Sequence, residues 1–114
     1  DGEPEPDVSV VRGQRREYRE RHPLASEVPL VVEVAESSLR LDRGRKKRAY
    51  ARAKIPIYWI LNLIDRQIEV YSDPSGTGRH ADYQTRHDFL PEASISVVLD
   101  GVTIGTLPVM ELFP

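Results

Sequence analysis

The stretch "PLVVEVAESS" (Pro29–Ser38) decides the fold. It has the composition of a buried strand, yet a glutamate stands at its centre. In an extended chain successive side chains point to opposite faces. Leu30, Val32 and Val34 therefore share one face, and Val31, Glu33 and Ala35 share the other. Neither face reads as solvated, so Glu33 is a carboxylate in apolar company. An unpaired buried charge is costly, and Glu33 requires a cation, a metal or a proton as partner.

Working outward, Ser37 or Ser38 offers an N-cap, and a helix is predicted from about Leu41 to Lys54, stopped by Pro56. On the N-terminal side, "DGEPEPD" is expected to be extended or loose. "DVSVV" (Asp7–Val11) alternates as a strand does, with Asp7, Ser9 and Val11 on one face. The segment between, Arg12–Glu27, is polar and without apolar period, which predicts a long exposed loop. On the C-terminal side, "IYWILNLI" (Ile57–Ile64) and "QIEVYS" (Gln67–Ser72) read as a β-hairpin with a tight turn at Asp65-Arg66. "DPSGTGRH" reads as a loop, "DYQTRHDFL" and "SISVVL" as further strands, and the C-terminal "DGVTIGTLPVMELFP" as a turn, a short strand and a helical turn. Several strands around one main helix predict an α+β domain with a mixed sheet.

With 114 residues the chain fits a single domain over 1–114, and 39% apolar with 30% charged residues is ordinary for a soluble globular protein. The net charge of −2 carries no bulk signal for nucleic acid. Without cysteine, disulfides and thiolate metal sites are excluded. The longest apolar run, Ile55–Ile64, contains Pro56 and Asn62 and is too short to span a bilayer. No signal peptide is visible. A cytoplasmic location without a membrane partner is the expectation. His22, His80 and His87 lack close metal-ligand spacing and read as surface residues. Tyr58 and Trp59, in an apolar strand, read as core rather than as a base-stacking platform.

Eight of the fifteen residues from Arg40 to Lys54 are Lys or Arg, which by itself reads as a solvated helix face. Helical spacing separates one of them from the rest. Asp42, Lys46, Ala49, Tyr50 and Ala53 fall on one stripe, whose later members are small or aromatic and should face the sheet. Lys46 is therefore the basic residue expected to point inward, toward Glu33. Its neighbour Lys47 shares a stripe with Arg43, Ala51 and Lys54 and is expected to point outward.

Asp7 is the third member of this constellation. A carboxylate on each of two neighbouring strands, with an inward lysine, suits metal-assisted phosphodiester cleavage. Mg²⁺ takes one or two carboxylates and keeps several waters. Such an ion polarises a phosphoryl oxygen and helps generate hydroxide, and a lysine stabilises charge on the phosphate or orients the attacking water. Plainer readings stand beside this one: Asp7 after Pro6 as a turn residue, and Glu33–Lys46 as a structural ion pair.

The order Pro6-Asp7, Val32-Glu33-Val34, Ser37-Ser38, Asp42-Arg43-Gly44, Lys46, Tyr50-Ala51, Tyr58-Trp59 and Glu69-Val70-Tyr71 resembles the Uma-two family of restriction-endonuclease-like proteins, within the PD-(D/E)xK nuclease superfamily. The likeness runs from about Glu3 to Asp73, with a weaker match at "LPVMELFP". It implies a restriction-endonuclease-like fold, with Pro6-Asp7 as the family's "PD" and Glu33 as its second acid. The lysine usually found two residues after that acid is replaced here by Ala35, and Lys46 matches the displaced lysine. Ile57 and Asn62 stand where the family commonly has acids. Family members also carry an upstream segment, so N-terminal elements of the fold are expected to be missing from this chain. The resemblance implies an endonuclease that hydrolyses DNA with Mg²⁺ (or Mn²⁺), with Asp7 and Glu33 as metal ligands and Asp7, Glu33 and Lys46 as catalytic residues. The competing reading is an interaction or regulatory domain that keeps the fold after the chemistry has lapsed. A homodimer is also expected, because one helix cannot cover both faces of the apolar strand at Ile57–Ile64.

Overall fold

In the computed structural model, residues 6–13 and 23–114 are described. The expectations for "DGEPE", for His22 and for most of the Arg12–Glu27 segment lie outside them. The β-branched and aromatic runs form a five-stranded sheet in the order β1 (Val8–Val10), β2 (Leu30–Ala35), β3 (Ile57–Asn62), β4 (Gln67–Ser75) and β5 (Asp82–Phe89). β2 and β3 are parallel and the other pairs antiparallel, so the sheet is mixed. A parallel pair needs a crossover, and the basic helical segment supplies it. The fold is α+β, as the strand and helix pattern predicts.

Alternation along each strand divides the core into two layers. On one face, Val31, Ala35, Tyr58, Ile60 and Tyr71 lie under Tyr50 and Ala51 of the helical segment. Four tyrosines dominate this layer, with ring centroids 5.0 Å apart for Tyr50–Tyr58 and 5.7 Å for Tyr58–Tyr71. Each of their buried hydroxyls donates to an acceptor, on Glu33, Asp42, Glu69 or Ile55. On the opposite face, Leu30, Trp59 and Ile68 pack against Ile95, Val109 and Phe113. Tyr58 and Trp59 are both buried, one in each layer. The second layer is closed by β6 (Ser94–Leu99) and a 3₁₀ turn at Val109–Leu112, and β7 (Val102–Pro108), exposed along its length, pairs antiparallel with β6. The far face of β3, the motive for expecting a homodimer, is thus covered from within the chain.

The register sets a row of residues on the helix-covered face. Glu33 pairs with Ile60, Ile60 with Glu69, and Glu69 with Asp88. Glu33 and Glu69 are both fully buried.

Four local expectations are corrected. The single helix is two, α1 (Leu39–Arg43) and α2 (Arg45–Arg52), because Gly44 leaves the helical region with φ −110° and ψ −100°. A Cβ on Gly44 would press against the Arg40 carbonyl oxygen at 3.1 Å. Ser38 stands at the N-cap, but its hydroxyl does not cap: it donates to Asp42 instead. The β3–β4 turn takes four residues, 63–66, because the Asn62 Oδ1 accepts the N–H groups of Ile64 and Asp65. Strand β4 also runs on to Ser75, into the segment expected to be a loop. No helix among the described residues is long and apolar enough to cross a membrane.

Candidate active site

The antiparallel β1–β2 ladder runs from Val10–Leu30 to Val8–Val32, and one further step sets Asp7 across from Glu33. The two residues clasp each other. The Asp7 N–H donates to Glu33 Oε1 at 3.3 Å, and the Val34 N–H donates to Asp7 Oδ2 at 2.8 Å. Asp7 is exposed while Glu33 is fully buried, so the pair spans from solvent to core.

Helix α2 covers Glu33 from above. The Tyr50 hydroxyl donates to Glu33 Oε2 at 2.5 Å, and the Lys46 ammonium lies 3.3 Å from the same oxygen. Lys46 and Tyr50 are four residues apart and so meet the sheet on one stripe. The structure brings Asp7, Glu33 and Lys46 together.

Asp42 joins them, a residue the sequence reading placed on the stripe but gave no role. It is fully buried. Its Oδ2 accepts from the Ser38 hydroxyl at 2.8 Å. Its Oδ1 accepts no well-formed hydrogen bond among the described residues and faces the Lys46 ammonium at 3.4 Å. The i, i+4 spacing of Asp42 and Lys46 was the available signal. Tyr50 was legible in the same way, as the aromatic member of the stripe.

One ammonium therefore faces two carboxylates, Glu33 and Asp42, and a third, Asp7, lies against Glu33. Burial pushes the Glu33 carboxyl above its ordinary value of 4.5, and the Asp7 carboxyl against it pushes the same way, outweighing the Tyr50 hydroxyl and Lys46. For Lys46, burial acts to lower the pKa, but Glu33 and Asp42 outweigh it and hold the ammonium charged. Burial and the Glu33 carboxylate raise Tyr50, which stays a phenol and a donor.

Lys47 does not point outward. Its side chain is 19% exposed, against 23% for Lys46, and its ammonium lies 3.1 Å from Asp82. It also sits over the Tyr71 ring, 4.9 Å from the centroid. The helix lies flat on the sheet, so the Lys46–Tyr50 stripe covers β2 while the Arg43–Lys47–Ala51 stripe covers β4 and β5.

A second buried carboxylate lies on the same face. Glu69 accepts from Arg43 Nε at 3.0 Å, the Tyr71 hydroxyl at 2.7 Å, Asn62 Nδ2 at 3.0 Å and Gln67 Nε2 at 3.2 Å. The Arg86 guanidinium is 3.5 Å away. Burial alone would raise its pKa, but these donors, Arg43 first, hold it down at about 2. Asn62, one of the two departures from the family pattern, works here as a neutral donor inside this cluster. Glu69 carried the same signal as Glu33, an acid inside an apolar alternating run.

The donor set at Asp7 and Glu33 suits a hard divalent cation: carboxylate oxygens beside each other, one reaching solvent, with negative charge in excess. Among the described residues no group of three or more His, Asp or Glu side chains is placed to hold a metal ion. An ion held here would have two carboxylate ligands from the chain and water for the rest of its shell.

The sequence model of a family described as "Uma2: Putative restriction endonuclease" matches residues 1–108. No curated protein matches the chain.

Proposed function

The chain belongs to the Uma2 family, and from that membership and the surroundings of Glu33 we propose a Mg²⁺-dependent endonuclease that hydrolyses phosphodiester bonds in DNA. The observation that carries the reading is the charge imbalance: Glu33 and Asp42 share the one ammonium of Lys46, and Asp7 lies against Glu33. A purely structural cluster has no need of that excess, whereas a cation-binding site does.

Each side chain has a separate task. Asp7 and Glu33 hold the ion, whose contribution when bound is to polarise a phosphoryl oxygen and lower the pKa of water. The Val34 N–H orients Asp7, and the Tyr50 hydroxyl orients Glu33. Lys46 stays protonated, so it acts as a positive charge and donor toward the phosphate rather than as a base. Asp42 keeps that ammonium in place. The solvent-facing side of Asp7 is where DNA approaches.

Plasmid nicking with Mg²⁺ tests the reaction. Lys46→Met should lower cleavage by about 10²–10³-fold, the loss seen when one transition-state donor is removed, and Asp7→Asn should abolish it. Calorimetric titration of Mn²⁺ should show binding to the parent chain, weaker binding to Asp7→Asn, and near-parental binding to Lys46→Met. A parent chain that neither nicks DNA nor binds Mn²⁺ would transfer the assignment to an interaction domain that has kept only the fold.

A further inference from the structure

The eight basic residues of the helical segment do not all have partners. Arg43 pairs with Glu69, Lys46 with Glu33 and Asp42, and Lys47 with Asp82. The Arg52 Nε donates to the Gly78 carbonyl at 2.9 Å and the Lys54 ammonium to the Gly76 carbonyl at 3.1 Å. Arg40, Arg45 and Arg48 remain. All three are exposed, and none has an acceptor among the described residues.

These three free arginines are not scattered. They line one open groove, with Ser37 and Ser38 at its rim and Gly44 in its wall. The break at Gly44 makes the groove. It redirects the chain between α1 and α2, and the missing side chain leaves room where a Cβ would lie 3.9 Å from an Arg48 guanidinium nitrogen. Among the described residues no acidic side chain lines the groove. Ser38 links the groove to the candidate active site: its hydroxyl holds Asp42, which in turn faces Lys46.

We propose that this groove holds the sugar–phosphate backbone of the DNA strand beside the one that is cut, or of the same strand a short way from the cut. The proposal rests on the endonuclease reading and adds to it the surface that positions the substrate. Three guanidinium groups around a concave, carboxylate-free surface suit successive phosphates, each able to accept a forked pair of N–H donors. The free serine hydroxyl of Ser37 adds a neutral donor. Such contacts read no bases, so the groove fixes register and leaves sequence unread.

The test separates the groove from the reaction. Binding of a fluorescein-labelled duplex is followed by anisotropy in EDTA, where no metal-dependent cleavage occurs, over a series of salt concentrations. Each of Arg40→Gln, Arg45→Gln and Arg48→Gln should lower the magnitude of the log K against log salt slope by about 0.9, the value for one phosphate contact on duplex DNA. Arg79→Gln removes an exposed arginine outside the groove and should leave the slope unchanged. Plasmid nicking by the parent chain is measured alongside. Equal slopes for groove and control variants, with the parent still nicking DNA, would overturn the groove and leave the endonuclease standing. A parent chain that neither binds the duplex at the lowest salt nor nicks DNA would overturn both.

Discussion

Glu33 and Glu69 occupy equivalent places and are treated in opposite ways. Both are fully buried, both lie on the helix-covered face, and Ile60 stands between them in the strand register. Around Glu69 the donors are many: Arg43 makes a forked contact, Arg86, itself paired with Asp88, adds a second guanidinium, and three neutral side chains donate as well. Around Glu33 the anions exceed the cation. A carboxylate with every lone pair answered is a fixture of the fold. A carboxylate short of positive charge is poised to take up a cation or a proton, and that difference sets the candidate site apart from the scaffold cluster.

The comparison breaks first at Arg43. Arg43→Met leaves Glu69 buried with only the more distant Arg86, and should cost about 3–4 kcal/mol, near the low end for removing one partner of a buried pair. Urea denaturation measures it. A loss below about 1 kcal/mol would put Glu69 in the ordinary surface-pair class and erase the contrast.

The pH dependence of stability sharpens it. Glu69 has a folded pKa of about 2 against an ordinary 4.5. Its contribution is complete above 4.5 and is lost as pH falls toward 2, amounting to about 3 kcal/mol at 1.36 kcal/mol per unit. Glu33 runs the other way. Its raised pKa means that the folded state keeps a proton that the unfolded chain releases. Stability from that proton is lost as pH rises from 4.5 through the folded value. Stability in EDTA should therefore weaken on the acid side in the parent and in Glu33→Gln alike. Only the parent should also weaken above 4.5.

The smallest expected effect is Lys46→Met on metal-free stability, a loss of under about 1 kcal/mol, because a buried carboxyl that loses its cation can take a proton instead. A loss as large as that of Arg43→Met would mean that Lys46 is chiefly a structural cation.

Much of the site could be read from two periods. The two-residue period of "LVVEVA" put Glu33 on the helix-facing side, and the 3.6-residue period put Lys46 and Tyr50 over it. Lys47 was misjudged because a helix lying flat on a wide sheet buries two adjacent stripes, and Ala51, fully buried, was the small residue that marked the second one. The break at Gly44 was hidden because the residues on both sides are good helix formers, and glycine alone does not reveal a change of direction. The β6–β7 layer was legible as strands, but its seat under Trp59 depends on contacts far apart in sequence, which periodicity does not carry. Glu69 was as readable as Glu33. Asking the same question of every acid in an apolar run would have found it.

Ile60 turns the sheet into something like a small capacitor. Neighbouring strands lie about 4.8 Å apart, so its flanking carboxylates are held about 10 Å from each other. Two full charges at that distance, at an effective dielectric constant of about 20, repel by about 1.7 kcal/mol. The isoleucine offers no dipole of its own to soften that field. Charging one plate raises the energy of the other, and discharging it relaxes both. By that arithmetic, a proton taken up by Glu33 would ease the setting of a carboxylate two strands away.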